Sequence, residues 1–255
     1  VETPFEGPIT GSEETGPYTV TIPFFGVRGL PTGSSSDGAR LRAADGGSVT
    51  VTNALLQNPN FLGIASFSSA GPRSGDSALK PEITAPGVST VSAGVGTGNG
   101  PDTLSGTSMS APHVAGVAAL TRQAHPKWKA EQIKAAIVGT GDPAKVAGYR
   151  PSRAGSGMVQ PLLSTASQVV ARGEGRFAAA LNFGIEELSS DLRSRRSATL
   201  ENKGDRWATF RVVVTRSSGV PHSLQPVRAS VAVPPGGSAE VGFLLSVPAA
   251  SRKPR

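Results

Sequence analysis

A run of small residues at positions 106–116, GTSMSAPHVAG, constrains the fold of this chain more than any other stretch of its sequence. Small and apolar residues continue through residues 108–123, which predict a helix that is buried and packs closely against its neighbours. Pro126 follows and predicts the end of this helix, because proline cannot continue the backbone hydrogen bonding. The helix would begin at a serine, Ser108.

Ser108 is a candidate nucleophile because of where it stands. Serine is a weak nucleophile that needs activation, and the first turn of a helix has free N–H groups that favour negative charge. The backbone N–H of Ser108 could therefore donate to a developing oxyanion. Gly106 would let the backbone bend and a substrate approach closely. Ser108 could instead serve only as a helix cap, which is common for serine.

The wider context favours the nucleophile. The eleven residues at 106–116 resemble the nucleophile motif of the subtilases, the subtilisin-like serine peptidases. SFSSAGP at 66–72 and LKPEITAPG at 79–87 resemble the segment that precedes this motif in the same family, although the family often has Arg at the place of Ala70 and Asp at the place of Glu82. GSGMV at 155–159 also fits.

The resemblance implies a serine endopeptidase that hydrolyses peptide bonds through an acyl-enzyme on Ser108. Gly106 and Thr107 would support the nucleophile, and the backbone N–H of Ser108 would form part of the oxyanion hole. The substrate would be a peptide or protein, and the protein would be secreted or held at the cell surface. Calcium is implied by the resemblance only, since the sequence shows no carboxylate cluster of the kind that binds it.

The predicted fold class is α/β, in three parts. Residues 1–52 resemble part of a protease-associated (PA) domain, and residues 53–172 resemble the C-terminal part of a subtilisin-like catalytic domain with a parallel sheet. Residues 173–255 predict a fibronectin-III-like β-sandwich from their short strands and turns. Trp207 and Phe210 fall in or beside a predicted strand and are expected in its core.

The individual elements follow from apolar periodicity and from turn residues. Ser36 or Asp37 is a candidate cap of a short helix, and residues 251–255 predict a disordered tail. Predicted helices are residues 108–123, 131–138 and 159–172. Predicted strands are residues 18–22, 22–27, 48–52, 198–200, 208–215, 229–233 and 239–247.

The catalytic partners of Ser108 are not evident in the sequence. A subtilase needs an Asp, a His and a Ser in that chain order, and the family's D-[ST]-G and H-G-T/S-H stretches do not occur here. His113 stands five residues after Ser108 on the same predicted helix, so it points about 140° away and is interpreted as structural. The other two histidines, His125 and His222, are expected at the surface.

Other candidate partners are weaker still. Asp76 and Asp102 are expected to be loop residues that cap turns. A catalytic dyad of Ser108 and Lys80 is supported only by the proximity of the two residues in the sequence. The base and the acid are therefore expected upstream of Val1, and the chain by itself is expected to be inactive. The alternative is a non-catalytic fragment or pseudoenzyme that acts as a protein-binding scaffold.

Composition excludes several other classes. The chain has no cysteine, so disulfides and thiolate metal sites are excluded. Its net charge is +7, but the basic residues are scattered and not interleaved with aromatics, which argues against nucleic-acid binding. No stretch approaches the roughly 18 apolar residues of a membrane helix, so no membrane association is expected.

Overall fold

The computed structural model describes residues 9–13, 16–20, 43, 45–48, 61–175, 178–184, 188–215 and 221–249. The chain divides into two compact units, residues 1–57 and residues 58–255, and each is described by itself. Several predictions lie outside the described residues: the strand at 22–27, most of the strand at 48–52, the cap at Ser36 or Asp37, and the tail at 251–255.

The first unit contains one described hairpin. Strand β1 (Ile9–Glu13) pairs antiparallel with β2 (Gly16–Val20), and Glu13 stands opposite Gly16 at the turn. β2 overlaps the strand predicted at 18–22. Farther along, Gly46 has a φ of 82° in a turn, a conformation that glycine adopts without steric cost.

The second unit begins with a short hairpin and a group of helices. β3 (Thr90–Ala93) and β4 (Pro101–Leu104) pair antiparallel directly before the first helix. The helices confirm the predictions at 108–123 and 131–138 to within one residue. They are α1 (Thr107–Ala124), α2 (Ala130–Gly139), the 3-10 turn Pro143–Lys145, α3 (Pro151–Ala154) and α4 (Pro161–Ala166).

Helix α1 is less buried than its composition predicts. Only Val117 and Thr121 are buried, and Val114 and Ala118 pack partly against the core. These four positions have the i, i+3, i+4, i+7 spacing of one helix face. The opposite face is exposed, so the prediction of a buried helix holds for one face of α1 only. The exposed face carries small or apolar residues, namely Ala111, Ala115, Gly116, Ala119 and Leu120.

The third predicted helix, at 159–172, is too long. The helix α4 ends at Ala166, and Ser167 is extended with φ −62° and ψ 130°. Strand β5 (Val169–Arg172) follows, and its Val170 is 1% exposed within the core that α1 and α2 share. The β-branched residues Val169 and Val170 suit a strand better than a helix, which explains the difference.

The rest of the second unit is antiparallel sheet. A four-stranded sheet has the order β5-β6-β10-β8, and β7 pairs with β9 in a second, two-stranded sheet. β5 pairs with β6 across the predicted boundary at residue 172. The strands are β6 (Leu192–Asn202), β7 (Ala208–Arg211), β8 (Ser223–Pro226), β9 (Ser230–Val233) and β10 (Ser238–Val247).

Both sheets contribute to one core. Val231 and Val233 of β9 and Val241 of β10 are buried together. The prediction that Trp207 and Phe210 are core residues is wrong: Trp207 is 68% exposed and Phe210 is 36% exposed. The core shared by the sheets is built mainly from valines, with Leu200 and Phe243 packed partly against it. Trp207 lies just outside β7.

Parallel pairing is sparse in the part of the chain that the structure describes. It is limited there to two isolated bridges, Gly63 with Ala147 and Thr84 with Met158. The extended parallel sheet expected for residues 53–172 is therefore represented only by these bridges. No helix among the described residues is both long and apolar enough to span a membrane.

Candidate active site

Ser108 is the second residue of α1, and it is exposed. Gly106, the residue before the helix, has φ 165° and ψ 162°, and the chain bends at this residue, as expected. A Cβ on Gly106 would lie 3.6 Å from Met109 Sδ and 3.7 Å from Ser108 N, which is ordinary contact. Thr107 is also exposed, as the first residue of the helix.

The N-terminal end of α1 is electrostatically open. Its first turn contains no acidic residue, so the partial positive charge of the helix end is not offset within that turn. The Ser108 N–H belongs to the first turn, where helical N–H groups have no intrahelical acceptor. An oxyanion placed beside Ser108 could therefore accept a hydrogen bond from this N–H and gain from the helix dipole.

Backbone contacts hold the entrance to α1. The Gly106 N–H donates to the Gly87 carbonyl oxygen over 2.8 Å, and the Met109 N–H donates to the Gly106 carbonyl oxygen over 3.0 Å. Nearby, the Ser89 N–H donates to Ser105 Oγ over 2.8 Å. Two segments, residues 87–89 and 105–106, are thereby fixed to one another directly before the candidate nucleophile.

His113 is engaged with its own helix. Its Nδ1 lies 2.8 Å from the Met109 carbonyl oxygen. Because a carbonyl can only accept, Nδ1 carries the hydrogen and donates it. This contact agrees with the structural interpretation of His113.

The two remaining histidines differ. His222 is exposed in the loop before β8, as expected. His125 is half-buried, so the prediction of a surface position is wrong. Its ring stacks on Trp128 with 3.8 Å between centroids, and its Nε2 lies 2.8 Å from the Thr165 carbonyl oxygen. His125 therefore joins the C-terminal end of α1 to α4.

The candidate aspartates have local partners. Asp76 Oδ1 accepts the Ala78 N–H over 3.1 Å, which is the turn-capping role expected. A hydrogen bond from the Arg73 side chain holds the pKa of Asp76 well below its usual range. Asp102 lies in β4, not in a loop as predicted, and its Oδ1 accepts the Thr103 N–H over 2.7 Å.

Lys80 is held in an ion-pair group around Glu82. Lys80 Nζ lies 2.6 Å from Glu82 Oε2, and Lys134 Nζ lies 2.7 Å from Glu82 Oε1. Burial opposes ionisation of Glu82, but the hydrogen bonds and charges of the two lysines outweigh it and lower the pKa of Glu82. An ammonium held by a carboxylate is a poor general base, which argues against a dyad of Ser108 and Lys80.

One contact near Ser108 has no counterpart in the sequence analysis. Gly87 packs so closely against α1 that an added Cβ would overlap Ser110 Oγ. The sequence Ala85-Pro86-Gly87 is the signal that could have indicated this contact, because a glycine after proline often marks a turn or a close backbone approach. No group of three or more His, Asp or Glu residues suited to a metal ion occurs within the described ranges.

Comparison with known sequences shows which family the region around this site is similar to. Residues 43–162 match the sequence model of the subtilase family, peptidase S8. The matched range contains Ser108, the segment around Gly87 and the helices α1 and α2. This range is similar to the domain of the subtilase family.

Individual relatives agree with this similarity. The chain is 44% identical over 115 residues to the minor extracellular protease Vpr of Bacillus subtilis (strain 168), covering 42% of this chain and 14% of the relative. It is 39% identical over 129 residues to the subtilisin-like protease SBT3.16 of Arabidopsis thaliana, covering 45% and 17%. It is 47% identical over 91 residues to SBT3.5 of the same plant, covering 34% and 12%. The chain thus spans less than a fifth of the length of these relatives.

Proposed function

We propose that this chain carries the nucleophile of a subtilisin-type serine endopeptidase. The observation that carries the proposal is the exposed Ser108 in the first turn of α1, at a helix end without acidic residues, inside the range that matches the subtilase family. The relatives in this family are named as proteases, which supports the same conclusion.

The proposed reaction proceeds in two steps. Ser108 Oγ attacks the carbonyl carbon of a peptide bond and gives its proton to a general base, which passes it to the departing amine as the C–N bond breaks. Water then attacks the resulting ester, releases the carboxylic acid and restores the Ser108 hydroxyl. The Ser108 N–H donates to the oxyanion formed in each step.

The base and the acid are proposed to come from residues upstream of Val1. The three histidines support this, because His113 and His125 make contacts within the helices and His222 lies in a loop before β8. The exposed small-residue face of α1 offers a surface against which such a segment could pack. This chain by itself would then be inactive.

The remaining assignments are part of the same proposal. Residues 1–52 would belong to a PA-like domain and residues 173–255 to a fibronectin-III-like β-sandwich. The latter is supported by two antiparallel sheets that share the core around Val233 and Val241. Secretion is supported by the name of the Bacillus relative, an extracellular protease.

A fluorophosphonate probe tests the proposal. In the full-length protein, wild type should be labelled covalently and Ser108→Ala should not, with the adduct located on Ser108 by peptide mass spectrometry. Ser92→Ala changes an exposed serine of the neighbouring strand β3 and should be labelled like wild type. Equal labelling of wild type and Ser108→Ala would refute the role of Ser108.

A protein-binding scaffold is the second candidate. It is favoured by the large exposed aromatic Trp207 on the antiparallel part of the fold and by the local contacts of His113, His125 and Lys80 described above. The same labelling experiment separates the two, because a scaffold would leave wild-type Ser108 unlabelled.

A further inference from the structure

The segment that leads to Gly87 is fixed by the core. The Thr84 N–H donates to the Gly157 carbonyl oxygen over 3.0 Å, and the Val159 N–H donates to the Thr84 carbonyl oxygen over 2.9 Å. The next residue, Ala85, is 9% exposed and belongs to the core cluster. Residues 84–85 are thereby held on both sides, so Gly87 follows a fixed anchor.

Gly87 meets the start of α1 at two points. Its carbonyl oxygen accepts the Gly106 N–H over 2.8 Å. A Cβ on Gly87 would lie 2.9 Å from the Gly106 carbonyl oxygen and would overlap Ser110 Oγ. Real Cβ atoms essentially never approach other atoms so closely. These contacts lie two residues before and two residues after Ser108.

We propose that Gly87 is a positioning residue for Ser108. Its backbone, anchored through Thr84 and Ala85, sets where the first turn of α1 begins, and so where the Ser108 hydroxyl and N–H point. This inference rests on the proposed function. Glycine is needed because any side chain would push the first turn outward, and a displacement of about 1 Å at a reacting group can cost about a hundredfold in rate.

Gly87→Ala in the full-length protein tests this role. We expect the rate of fluorophosphonate labelling of Ser108 and the kcat for peptide hydrolysis to fall about 10- to 100-fold. KM should change by less than about threefold, because Gly87 is not proposed to contact the substrate. Gly139→Ala is the matched control, since Gly139 lies on α2, away from the exposed face of α1, and a Cβ there meets nothing within 4 Å.

A double variant identifies the contact responsible. Combining Gly87→Ala with Ser110→Ala removes Ser110 Oγ and leaves the Ser110 Cβ 3.4 Å away, an ordinary contact. We expect the double variant to recover at least about fivefold in labelling rate over Gly87→Ala, with incomplete recovery because of the Gly106 carbonyl oxygen. Thermal unfolding of each variant gives the fraction folded at the assay temperature.

Several outcomes would overturn the inference. They are an unchanged labelling rate in Gly87→Ala, a loss fully accounted for by its unfolded fraction, or no recovery on adding Ser110→Ala. If Gly87→Ala does not fold, Ser110→Thr is used instead, because it adds a methyl group to the side chain that meets Gly87. We expect Ser110→Thr to slow the labelling of Ser108. A wild-type labelling rate in this variant would contradict the inference. Failure of the proposed function is distinguishable, because wild type itself would then remain unlabelled.

Discussion

The side-chain amide of Gln132 on α2 donates through Nε2 to Glu201 Oε2 on β6 over 2.8 Å. The other end of the same amide, Oε1, accepts the Lys129 N–H over 2.9 Å at the start of α2. Gln132 therefore caps its own helix and joins that helix to the four-stranded sheet. Glu201 is 8% exposed, and Arg172 and Lys203 also donate to it, the latter over 2.8 Å.

Replacing Glu201 should destabilise the protein. Glu201→Gln removes the charge that Arg172 and Lys203 share, and hydrogen bonds to charged groups contribute about 1.5–3 kcal/mol each. We expect the free energy of unfolding to fall by about 2 kcal/mol. Urea denaturation measures it, and Glu240→Gln, an exposed glutamate on β10, is the control that should change it little.

The contribution of Glu201 should depend on pH in one direction. Burial alone would raise the pKa of Glu201, but hydrogen bonds from Lys203, Gln132 and Arg172 lower it from 4.5 to about 2. A carboxylate with a lowered pKa stabilises the fold above its unfolded-state pKa and loses that effect on acidification. The difference in stability between wild type and Glu201→Gln should therefore be constant above about pH 5 and shrink towards pH 2.

The pH experiment has a clear contrary result. A difference that stays constant or grows as the pH falls from 5 to 2 would show that Glu201 is not held as a charged group. Glu82 also has a lowered pKa, so stability itself should decrease in acid in both proteins. Only the difference in stability between wild type and Glu201→Gln reports the contribution of Glu201.

Gly157 should tolerate no side chain. It has a φ of 106°, and a Cβ would overlap the Asp142 carbonyl carbon and the Pro143 nitrogen, both backbone atoms. Gly148, with a φ of 63°, has nothing within 4 Å of such a Cβ. Gly148→Ala should therefore cost only the roughly 1–2 kcal/mol of an unfavourable backbone conformation.

Gly157→Ala should cost at least twice as much, because the backbone must also move. Comparison of the two variants by chemical denaturation measures this difference. Similar midpoints for the two alanine variants would mean that the backbone around Asp142 yields easily.

The buried hydroxyls of Thr121 and Ser164 should be coupled. Thr121 Oγ1 donates to the Val117 carbonyl oxygen over 2.8 Å and lies 3.2 Å from Ser164 Oγ, and both side chains are fully buried. Thr121→Val keeps the shape but removes the hydroxyl that pairs with Ser164, at a cost of about 1 kcal/mol.

A double-mutant cycle measures this coupling. Adding Ser164→Ala to Thr121→Val should cost less than Ser164→Ala in the wild-type background, with a coupling of about 0.5–1 kcal/mol. Additive effects would show that the two hydroxyls do not interact. Such a result would leave only packing to join α1 and α4 at this point.

Local patterns predicted the elements that local interactions determine. The helices at 108–123 and 131–138 follow from apolar spacing and from the prolines and glycines at their ends, and α1 and α2 confirm them. Strand β10 likewise matches the alternation at 239–247. In these segments the intrinsic preference of the residues and their packing agree.

Predictions that depended on distant partners were less accurate. Residues 169–172 form a strand because β6 pairs with them and Val170 is buried against α2, and neither fact can be seen locally. Trp207 is exposed, and the core between the sheets is formed by valines of β9 and β10 from later in the chain, which the pattern around Trp207 does not show. The small and apolar residues of α1 indicate that the helix can be buried, but they do not indicate what fraction of its surface is buried.

The candidate site shows the same division. Ser108 is a candidate because of its motif and the physics of a helix N-terminus, and the structure has it in the first turn of α1. The contact between Gly87 and Ser110 joins residues 23 positions apart in the sequence, and only the folded structure brings them together.

Gly71 and Gly155 approach residues 80–83 closely, which limits the substitutions that this protein can accept during evolution. A Cβ on Gly71 would lie 2.9 Å from the Lys80 carbonyl carbon, and one on Gly155 would lie 2.6 Å from the Ile83 nitrogen. These neighbours are backbone atoms, so no exchange of side chain at 80–83 could make room. Lineages of this protein should therefore keep glycine at 71 and 155 even where the side chains at 80–83 vary.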